Sequence, residues 1–236
     1  MSTATASLIE TISRSRIQLQ SQPVKQQRLQ TLQRWQTERL RRTYADFSRQ
    51  KRYRDALEFF VEDLYGPHDY SQRDHDLNKV LAKFERLLSA RALQTLATAL
   101  QLEALTQELD WVMLEYLAGD INESSYAQAY RQVARASDRQ HQIALIVAAG
   151  RALDALVDNP AIGAALWAAR LPAKMYGVMT LHTFLERGYR AFTTMCGAQR
   201  LLTAIEKRET AIMTRLLAGT AEPFCWSGAE PAAATP

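Results

Sequence analysis

The 236-residue chain is 47% hydrophobic and 23% charged, which suits a globular core and rules out any need for a metal ion or a disulfide simply to fold. Its net charge of +4 is unevenly placed, because residues 1–56 hold 12 of the 29 Lys and Arg residues but only four of the 25 Asp and Glu residues. The two cysteines, Cys196 and Cys225, are too few for a disulfide framework and favour a reducing, cytoplasmic compartment.

The first helical pattern runs through the basic part of the chain. Apolar residues recur there at steps of three to five, namely Leu29, Leu32, Trp35, Leu40, Tyr44 and Phe47. After a polar stretch at residues 48–52 the pattern continues with Tyr53, Leu57, Phe60, Val61 and Leu64. The spacing predicts a long amphipathic helix that begins near Pro23, is bent or broken at residues 48–52, and ends at Gly66-Pro67.

Dense basic residues accompany this pattern, among them Arg41, Arg42, Arg49 and Arg52. Such charge would attract the phosphates of a nucleic acid or an anionic surface, and interleaved aromatic side chains could stack on bases. The aromatic residues fall on the apolar stripe, however, which is typical of a solvated helix face beside a core. The sequence favours the solvated face and keeps anion binding as an alternative.

A polar corner follows at Gly66-Pro67. Ser71 and Asp74 have the spacing of a capping box, in which each side chain satisfies a free backbone N–H. Helix arithmetic places one polar set at this corner: Glu62, Tyr65, Asp69, Ser71, Arg73 and Asp74. Aspartate and imidazole donors in such a loop could hold a divalent ion. Capping and compensation of the helix dipole explain the same residues, so we predict a structural corner.

The helix that starts at Ser71 has an apolar face over residues 77–88. Further helices are predicted over residues 90–117, 123–136 and 138–157, with breaks at Gly119-Asp120 and Asn159-Pro160. The most apolar region, residues 161–181, is long enough to cross a bilayer, but Arg170, Pro172 and Lys174 lie in its middle, where charge is costly. We therefore predict a buried helix pair broken at Pro172, over residues 161–170 and 173–195, and a last helix over residues 198–217.

These elements predict an all-α fold, a single-domain bundle of roughly seven to nine helices with short connections between antiparallel neighbours. The helical domain covers residues 1–219, with basic N-terminal helices in 1–56 and the bundle core in 57–219. Residues 220–236 are rich in Ala, Pro, Glu and Thr and predict a disordered tail.

A helical bundle also suggests a metal site built from carboxylates and histidines. The candidate ligands are Glu58, Glu62, Glu115, His141, His182 and Glu186. No glutamate is followed by a histidine three residues later, which is the pairing that such sites use, and His182 and Glu186 have the spacing of an ordinary polar pair on one helix face. A metal-dependent oxidoreductase or ligand-binding bundle is therefore only an alternative.

Sequence motifs of catalysis are missing: the chain has no Gly-x-Ser-x-Gly turn, no glycine-rich phosphate loop and no His-Glu-x-x-His helix. We expect no cofactor, and the sequence favours a protein that is not an enzyme. Since its long amphipathic helices are able to pair, the leading hypothesis is an interaction or scaffold protein that self-associates or binds a protein partner through helix faces.

Residues 59–74 read FFVEDLYGPHDYSQRD, which resembles the signature of a bacterial family named for its FFLEELY motif. Val61 and Asp63 are mild departures from that motif. Residues 184–192 (FLERGYRAF) and 205–209 (IEKRE) are also similar to the family. The resemblance covers most of the chain before the tail. It implies a helical cytoplasmic protein of a proteobacterium and brings no activity and no catalytic residue.

Overall fold

The computed structural model describes residues 22–64, 72, 75–77, 79–80 and 90–225, and within them the chain forms helices and no β-strand. The helices are α1 (Pro23–Thr43), α2 (Ala45–Ser48), α3 (Lys51–Glu58), α4 (Ala90–Tyr116), α5 (Glu123–Val133), α6 (Ala136–Val157), α7 (Pro160–Met175), α8 (Met179–Met195) and α9 (Gln199–Ala218). A π-helical turn, Phe59–Leu64, directly extends α3. The predicted all-α fold is confirmed.

Two short breaks divide the first predicted helix into α1, α2 and α3. The first break lies at Tyr44 and the second at Arg49 and Gln50. The buried Arg208 side chain of α9 stabilises the first break through hydrogen bonds. Its Nη1 donates to the carbonyl oxygen of Thr43 at 2.7 Å, and Nη1 and Nη2 each donate to the Asp46 carboxylate at 2.7 Å. The apolar stripe therefore bends around α9 and does not continue as one straight rod.

Two hydrophobic clusters fill the interior. The first joins α2, α3, the π-helical turn, α6, α8 and α9 and includes Phe47, Tyr53, Phe60, Phe192, Leu201 and Leu202. The second joins α1, α4, α5, α6 and α9 and includes Leu32, Met113, Tyr126, Ala129, Ile143 and Ile212. Burying each large apolar side chain contributes roughly 1.5–3 kcal/mol, so the stripes seen in the sequence supply the driving force for this packing.

The ends of individual helices follow local chemistry. Asn122 and Ser125 form a capping box at the start of α5, in which the Asn122 side chain accepts from the Ser125 N–H at 3.0 Å and the Ser125 hydroxyl accepts from the Asn122 N–H at 3.0 Å. Gly219 ends α9 with a φ of 70°, the left-handed conformation that glycine adopts without a steric penalty.

The prediction of a buried helix pair broken at Pro172 is wrong. α7 continues through Pro172 to Met175, and Ala173 is its one buried residue. A proline in the last turn removes only one helical hydrogen bond, and the chain turns instead at Gly177, where φ is 65°. Among the described residues, no helix has both the length and the apolar content that crossing a bilayer requires. α7 thus lies on the outside of the bundle, against α8.

The segment after α9 folds back onto the bundle before the described chain ends. Phe224 makes an edge contact with the Trp35 ring, with 5.6 Å between centroids, and the Tyr126 ring lies 6.0 Å away. Arg215 donates to the Cys225 carbonyl oxygen at 2.7 Å. The predicted tail therefore begins with six described residues, 220–225, that contact the fold, and its remainder, residues 226–236, lies outside the described residues.

Candidate functional site: an exposed helix face and a buried polar cavity

Three of the four most exposed large apolar side chains of the described residues lie on α7. Trp167, Leu171 and Met175 follow one another at steps of four, so they share one helix face, and they are 80%, 67% and 78% exposed. Tyr176 and Leu185 are also large, apolar and exposed. We call the surface formed by Trp167, Leu171 and Met175 the α7 face.

Small residues and a few cations surround these side chains. Helix spacing places Ala164 and Ala168 among the three bulky residues of the α7 face. The same spacing places Arg170 and Lys174 along one edge, and α7 contains no Asp or Glu. On its opposite side, Ala173 is buried. α7 is therefore apolar both where it contacts the bundle and where it faces solvent.

A second feature is a cavity of about 100 Å³ enclosed by α1, α4, α5, α6 and α9. Charged and amide side chains from four helices line it, with Gln36 and Arg39 on α1, Asp110 on α4, Arg139 and Gln142 on α6, and Glu209 on α9. Each of these residues lies on the inward side of its helix, where the neighbouring turns carry apolar side chains. Three hydrogen-bonded groups result.

The first group is an ion pair between α1 and α9. Nη1 of Arg39 donates to the two carboxylate oxygens of Glu209 at 2.7 and 2.8 Å, and the Tyr44 hydroxyl donates to the same carboxylate at 2.9 Å. Burial opposes the positive charge of Arg39, but Glu209 more than offsets it and raises the Arg39 pKa. Burial and the Glu209 charge also raise the pKa of Tyr44, so this hydroxyl keeps its proton.

The second group is centred on Asp110, whose side chain is almost fully enclosed. The Gln36 amide nitrogen donates to Oδ1 of Asp110 at 2.9 Å. Burial raises the pKa of Asp110 from 3.8 to about 6, although the Gln36 hydrogen bond and the charge of Arg139 both act to lower it. Asp110 therefore changes its protonation state near pH 6 in the folded protein, about two pH units above an exposed aspartate.

The third group is centred on Arg139, which is 6% exposed. Its Nη1 donates to the Gln142 side-chain oxygen at 3.1 Å, and the Gln142 amide nitrogen in turn donates to the Thr106 hydroxyl at 2.8 Å. The guanidinium carbon lies 4.8 Å from the centre of the Tyr130 ring. Nη2 of Arg139 is buried and has no hydrogen-bond partner among the described residues. The cavity thus contains a buried cationic donor that the fold leaves unsatisfied.

None of these cavity residues was a candidate in the sequence, although a signal was present. Charged or amide side chains occupy positions that the apolar spacing assigns to the interior. Asp110 follows Leu109 and precedes Met113 by three residues, and Arg139 precedes Ile143 by four. Without a partner helix in view, such positions look like irregularities of an amphipathic pattern. Only the packing of α4 against α6 places Asp110 and Arg139 beside the same cavity.

Three of the four basic residues of the anion-binding alternative have partners within the chain, although all four are exposed. Arg41 pairs with Glu62, Arg42 lies 3.0 Å from Glu123, and Arg52 donates to the carbonyl oxygens of Met195 and Cys196 at 3.0 Å. Arg49 is exposed. Arg41, Arg42 and Arg52 thus join α1 and α3 to neighbouring parts of the chain. A phosphate backbone would have to compete with these acceptors for the same guanidinium groups.

The six candidate metal ligands do not come together. Among the described residues, which include all six, no group of three or more His, Cys, Asp or Glu side chains could hold a metal ion. Glu58, Glu115 and His141 are exposed. His182 is buried on α8, where its Nε2 lies 2.9 Å from the carbonyl oxygen of Leu166 in α7. This histidine thus joins two helices.

Of the six residues in the predicted polar corner, one lies within the described part of the chain. Glu62 lies in the π-helical turn and pairs with Arg41. Tyr65, Asp69, Ser71, Arg73 and Asp74 lie outside the described residues. A neighbouring carboxylate, Asp76, is fully buried and accepts from the Leu181 N–H at 3.2 Å, so it satisfies a free donor in the first turn of α8.

A family model described as a domain of unknown function (DUF8198) matches residues 15–223. This match is consistent with the resemblance of the chain to a family that has no assigned activity. No curated protein and no solved structure shows significant similarity to the chain.

Proposed function

The chain belongs to the family of the domain of unknown function DUF8198, and because that membership brings no activity, we propose that the protein is a non-enzymatic interaction protein that self-associates through the α7 face. The observation that carries the proposal is the exposure of Trp167, Leu171 and Met175 on one side of a helix. Soluble monomers rarely leave contiguous apolar patches of this kind in water, and such patches mark contact surfaces. A cytoplasmic location and a bacterial source stay predictions from the sequence.

The composition of α7 supports a helix that is covered on both sides. A helix that is apolar all round is normally buried all round. α7 is covered on one side by α8, which leaves the α7 face as the side that needs a partner. Its residues alternate in size, since the Trp167 ring stands beside Ala164 and Ala168. In a twofold contact, the bulky side chains of one copy can therefore lie over the small residues of the other.

The two cations at the edge of the face are compatible with such a contact. Arg170 and Lys174 have long apolar stems, so their charged ends can reach water while the α7 face is covered. α7 has 16 residues, and at a rise of 1.5 Å per residue it is about 24 Å long. One helix face of that length offers less than the roughly 800 Å² that each partner buries in a standard interface. We therefore expect a dimer of micromolar stability.

Sedimentation equilibrium across the micromolar range tests the proposal. We expect the wild-type mass to rise with concentration toward that of a dimer and Leu171→Glu to stay monomeric, because a charge in the centre of the α7 face cannot be buried without a partner. Val24→Glu is the matched control, since Val24 is an equally exposed apolar residue on α1 and should leave the dimer intact. Unchanged helical content and melting temperature would show that Leu171→Glu still folds.

Two results would overturn the proposal. One is a wild-type protein that stays monomeric over the whole range, and the other is a dimer that Leu171→Glu does not weaken. If the monomer instead bound vesicles of anionic lipid, and Trp167→Glu abolished that binding, the face would belong to a membrane surface.

A further inference from the structure

Three buried arginines allow a direct comparison within the same fold. Arg39 and Arg208 each contact a carboxylate through two hydrogen bonds, provided by Glu209 and Asp46. Arg139 is buried to a similar degree, yet no carboxylate of the described residues lies within ion-pair distance of it. Its only hydrogen-bond acceptor in the described part of the chain is the neutral amide of Gln142. The fold therefore supplies a directly paired counter-ion to two of these cations, whereas only the charge of Asp110, beyond ion-pair distance, acts on the third.

An unpaired buried cation is costly, and the cost is removed when an anion binds it. Placing a charged group in the interior without a partner costs several kcal/mol in general. The unsatisfied Nη2 of Arg139 belongs to a residue that lines the cavity, so an acceptor placed there would satisfy it. Charge-assisted hydrogen bonds of this kind are about twice as strong as neutral ones, and the planar guanidinium suits a carboxylate in particular.

The rest of the cavity limits the size and the polarity of the ligand. A volume of about 100 Å³ has room for a few non-hydrogen atoms or several water molecules. Next to the polar groups the wall is aliphatic, with Leu40, Ile143 and Ile146. An inorganic anion would leave this wall uncovered, whereas a short apolar tail would fill it. We propose that the cavity binds a small organic carboxylate, whose oxygens accept from Arg139 and whose tail lies on this aliphatic wall.

Asp110 makes the binding depend on pH. Six other titratable groups line the cavity, namely Arg39 of α1, Tyr44 at the first break, Tyr126 and Tyr130 of α5, Arg139 of α6 and Glu209 of α9. Arg39 is already neutralised by Glu209, and burial keeps Tyr130 protonated by raising its pKa, so the charge balance depends on Arg139 and Asp110. An ionised Asp110 repels an incoming carboxylate. As the pH falls toward 6, Asp110 gains a proton and can donate to the ligand, which strengthens binding.

Titration with propionate tests the inference. Calorimetry on the full-length wild-type protein should show binding of propionate that strengthens as the pH falls from neutral toward 6. Propionamide, which has the same shape without the charge, should bind at least about tenfold more weakly, since a hydrogen bond to a charged group is worth about 1.5–3 kcal/mol. Chloride at the same ionic strength should not compete.

Arg139→Gln should weaken propionate binding at least about tenfold, whereas Arg151→Gln, on the exposed side of α6, should not.

A wild-type measurement keeps the test independent of whether Arg139→Gln folds. In nitrogen-15 spectra of arginine side chains, propionate should shift the resonances of Arg139 and leave those of Arg208 unchanged. If no arginine resonance shifts at high propionate concentration, the inference is wrong and the cavity holds only water. If propionamide binds as tightly as propionate, the inference is also wrong, because Arg139 then does not recognise the charge of a carboxylate. Leu171→Glu should retain full propionate binding, so failure of the dimer and failure of the cavity ligand can be told apart.

Discussion

Asp110 is a carboxyl group that helix packing removes from water while giving it only one neutral hydrogen-bond donor. The Gln36 amide satisfies Oδ1, but it supplies no positive charge, and the charge of Arg139 lowers the pKa of Asp110 by less than burial raises it. Burial therefore dominates and raises the pKa of Asp110 to about 6. The folded protein binds this proton more tightly than the unfolded chain does. The contribution of Asp110 to stability is fully present below pH 3.8 and is lost as the pH rises through about 6.

Replacing Asp110 by asparagine should stabilise the protein at alkaline pH. The amide has the same shape and can still accept from Gln36, but it has no charge to bury. The difference between 3.8 and about 6 corresponds to about 3 kcal/mol, which is the upper limit of the expected gain in the free energy of unfolding well above pH 6. Below pH 3.8 the gain should vanish.

Urea denaturation at acidic and alkaline pH measures this difference. Glu115→Gln removes a carboxylate from the exposed side of the same helix and serves as the control, with no stabilisation expected. An Asp110→Asn variant that is destabilised at both pH values would show that the carboxylate itself is needed for the fold.

Single polar side chains were the least predictable part of the molecule. Apolar spacing identified Leu32, Phe47 and Tyr53 as core residues, and they are buried. The same spacing cannot distinguish a charged residue that faces inward from one that lies at the edge of a stripe. Arg139 and Asp110 acquire their environment from helices more than 20 residues apart in sequence, which no local pattern records.

The break between α1 and α3 depends on one buried residue of α9. Arg208 is 3% exposed and joins the Thr43 carbonyl to the Asp46 carboxylate. Its guanidinium also lies over the Tyr44 and Phe47 rings, at 5.4 and 5.2 Å from their centres. The hydrogen bonds from Arg208 lower the pKa of Asp46 below its usual value. This ion pair stabilises the fold at neutral pH, and that contribution is lost as the pH falls below the usual range of aspartate.

Arg208→Lys should destabilise the protein although the charge is retained. A lysine ammonium cannot contact the carbonyl and both carboxylate oxygens in the geometry of the guanidinium fork. We expect a loss of about 2–3 kcal/mol in the free energy of unfolding, less than for a fully buried pair because Asp46 remains half exposed to solvent.

Chemical denaturation gives the value, and Arg200→Lys provides the same substitution at an exposed position of α9. The control should change stability by less than about 0.5 kcal/mol. Equal effects of the two substitutions would mean that Arg208 contributes by charge alone.

Helix boundaries were predicted well where glycine, asparagine or proline punctuates the chain. The predicted ranges 90–117, 123–136, 138–157 and 198–217 lie close to α4, α5, α6 and α9. The exception is α7, since Pro172 was expected to end a helix that in fact continues for three more residues. A proline near the end of a helix loses little hydrogen bonding, and the sequence does not reveal which of two nearby breakers, Pro172 or Gly177, the tertiary contacts select.

The described C-terminal segment closes one side of the bundle. Phe224 lies against Trp35 of α1 and Tyr126 of α5, and it also lines the cavity. Trp35 and Tyr126 are themselves stacked, with 4.3 Å between ring centres. This aromatic group joins the two ends of the described chain to α5. Composition alone predicts a tail that starts at Thr220, because composition does not indicate that the Phe224 ring packs against Trp35 and Tyr126.

Removing residues 226–236 should leave the melting temperature unchanged, because their composition predicts disorder. Phe224→Ala should lower the free energy of unfolding by about 1–2 kcal/mol, less than a fully buried phenylalanine because the ring is only half buried. Thermal melts monitored by circular dichroism compare the two. If the truncation proved as destabilising as Phe224→Ala, residues 226–236 would contact the fold.

The π-helical turn at Phe59–Leu64 is a place where the chain can change its length by one residue. A π-helical turn holds about one residue more than an α-helical one. Deleting one residue between Phe59 and Leu64 would therefore leave an α-helical turn of about the same rotation, and the apolar residues of α3 would keep their inward face. Relatives within the family are expected to show single-residue gaps here and few gaps inside the regular α-helices.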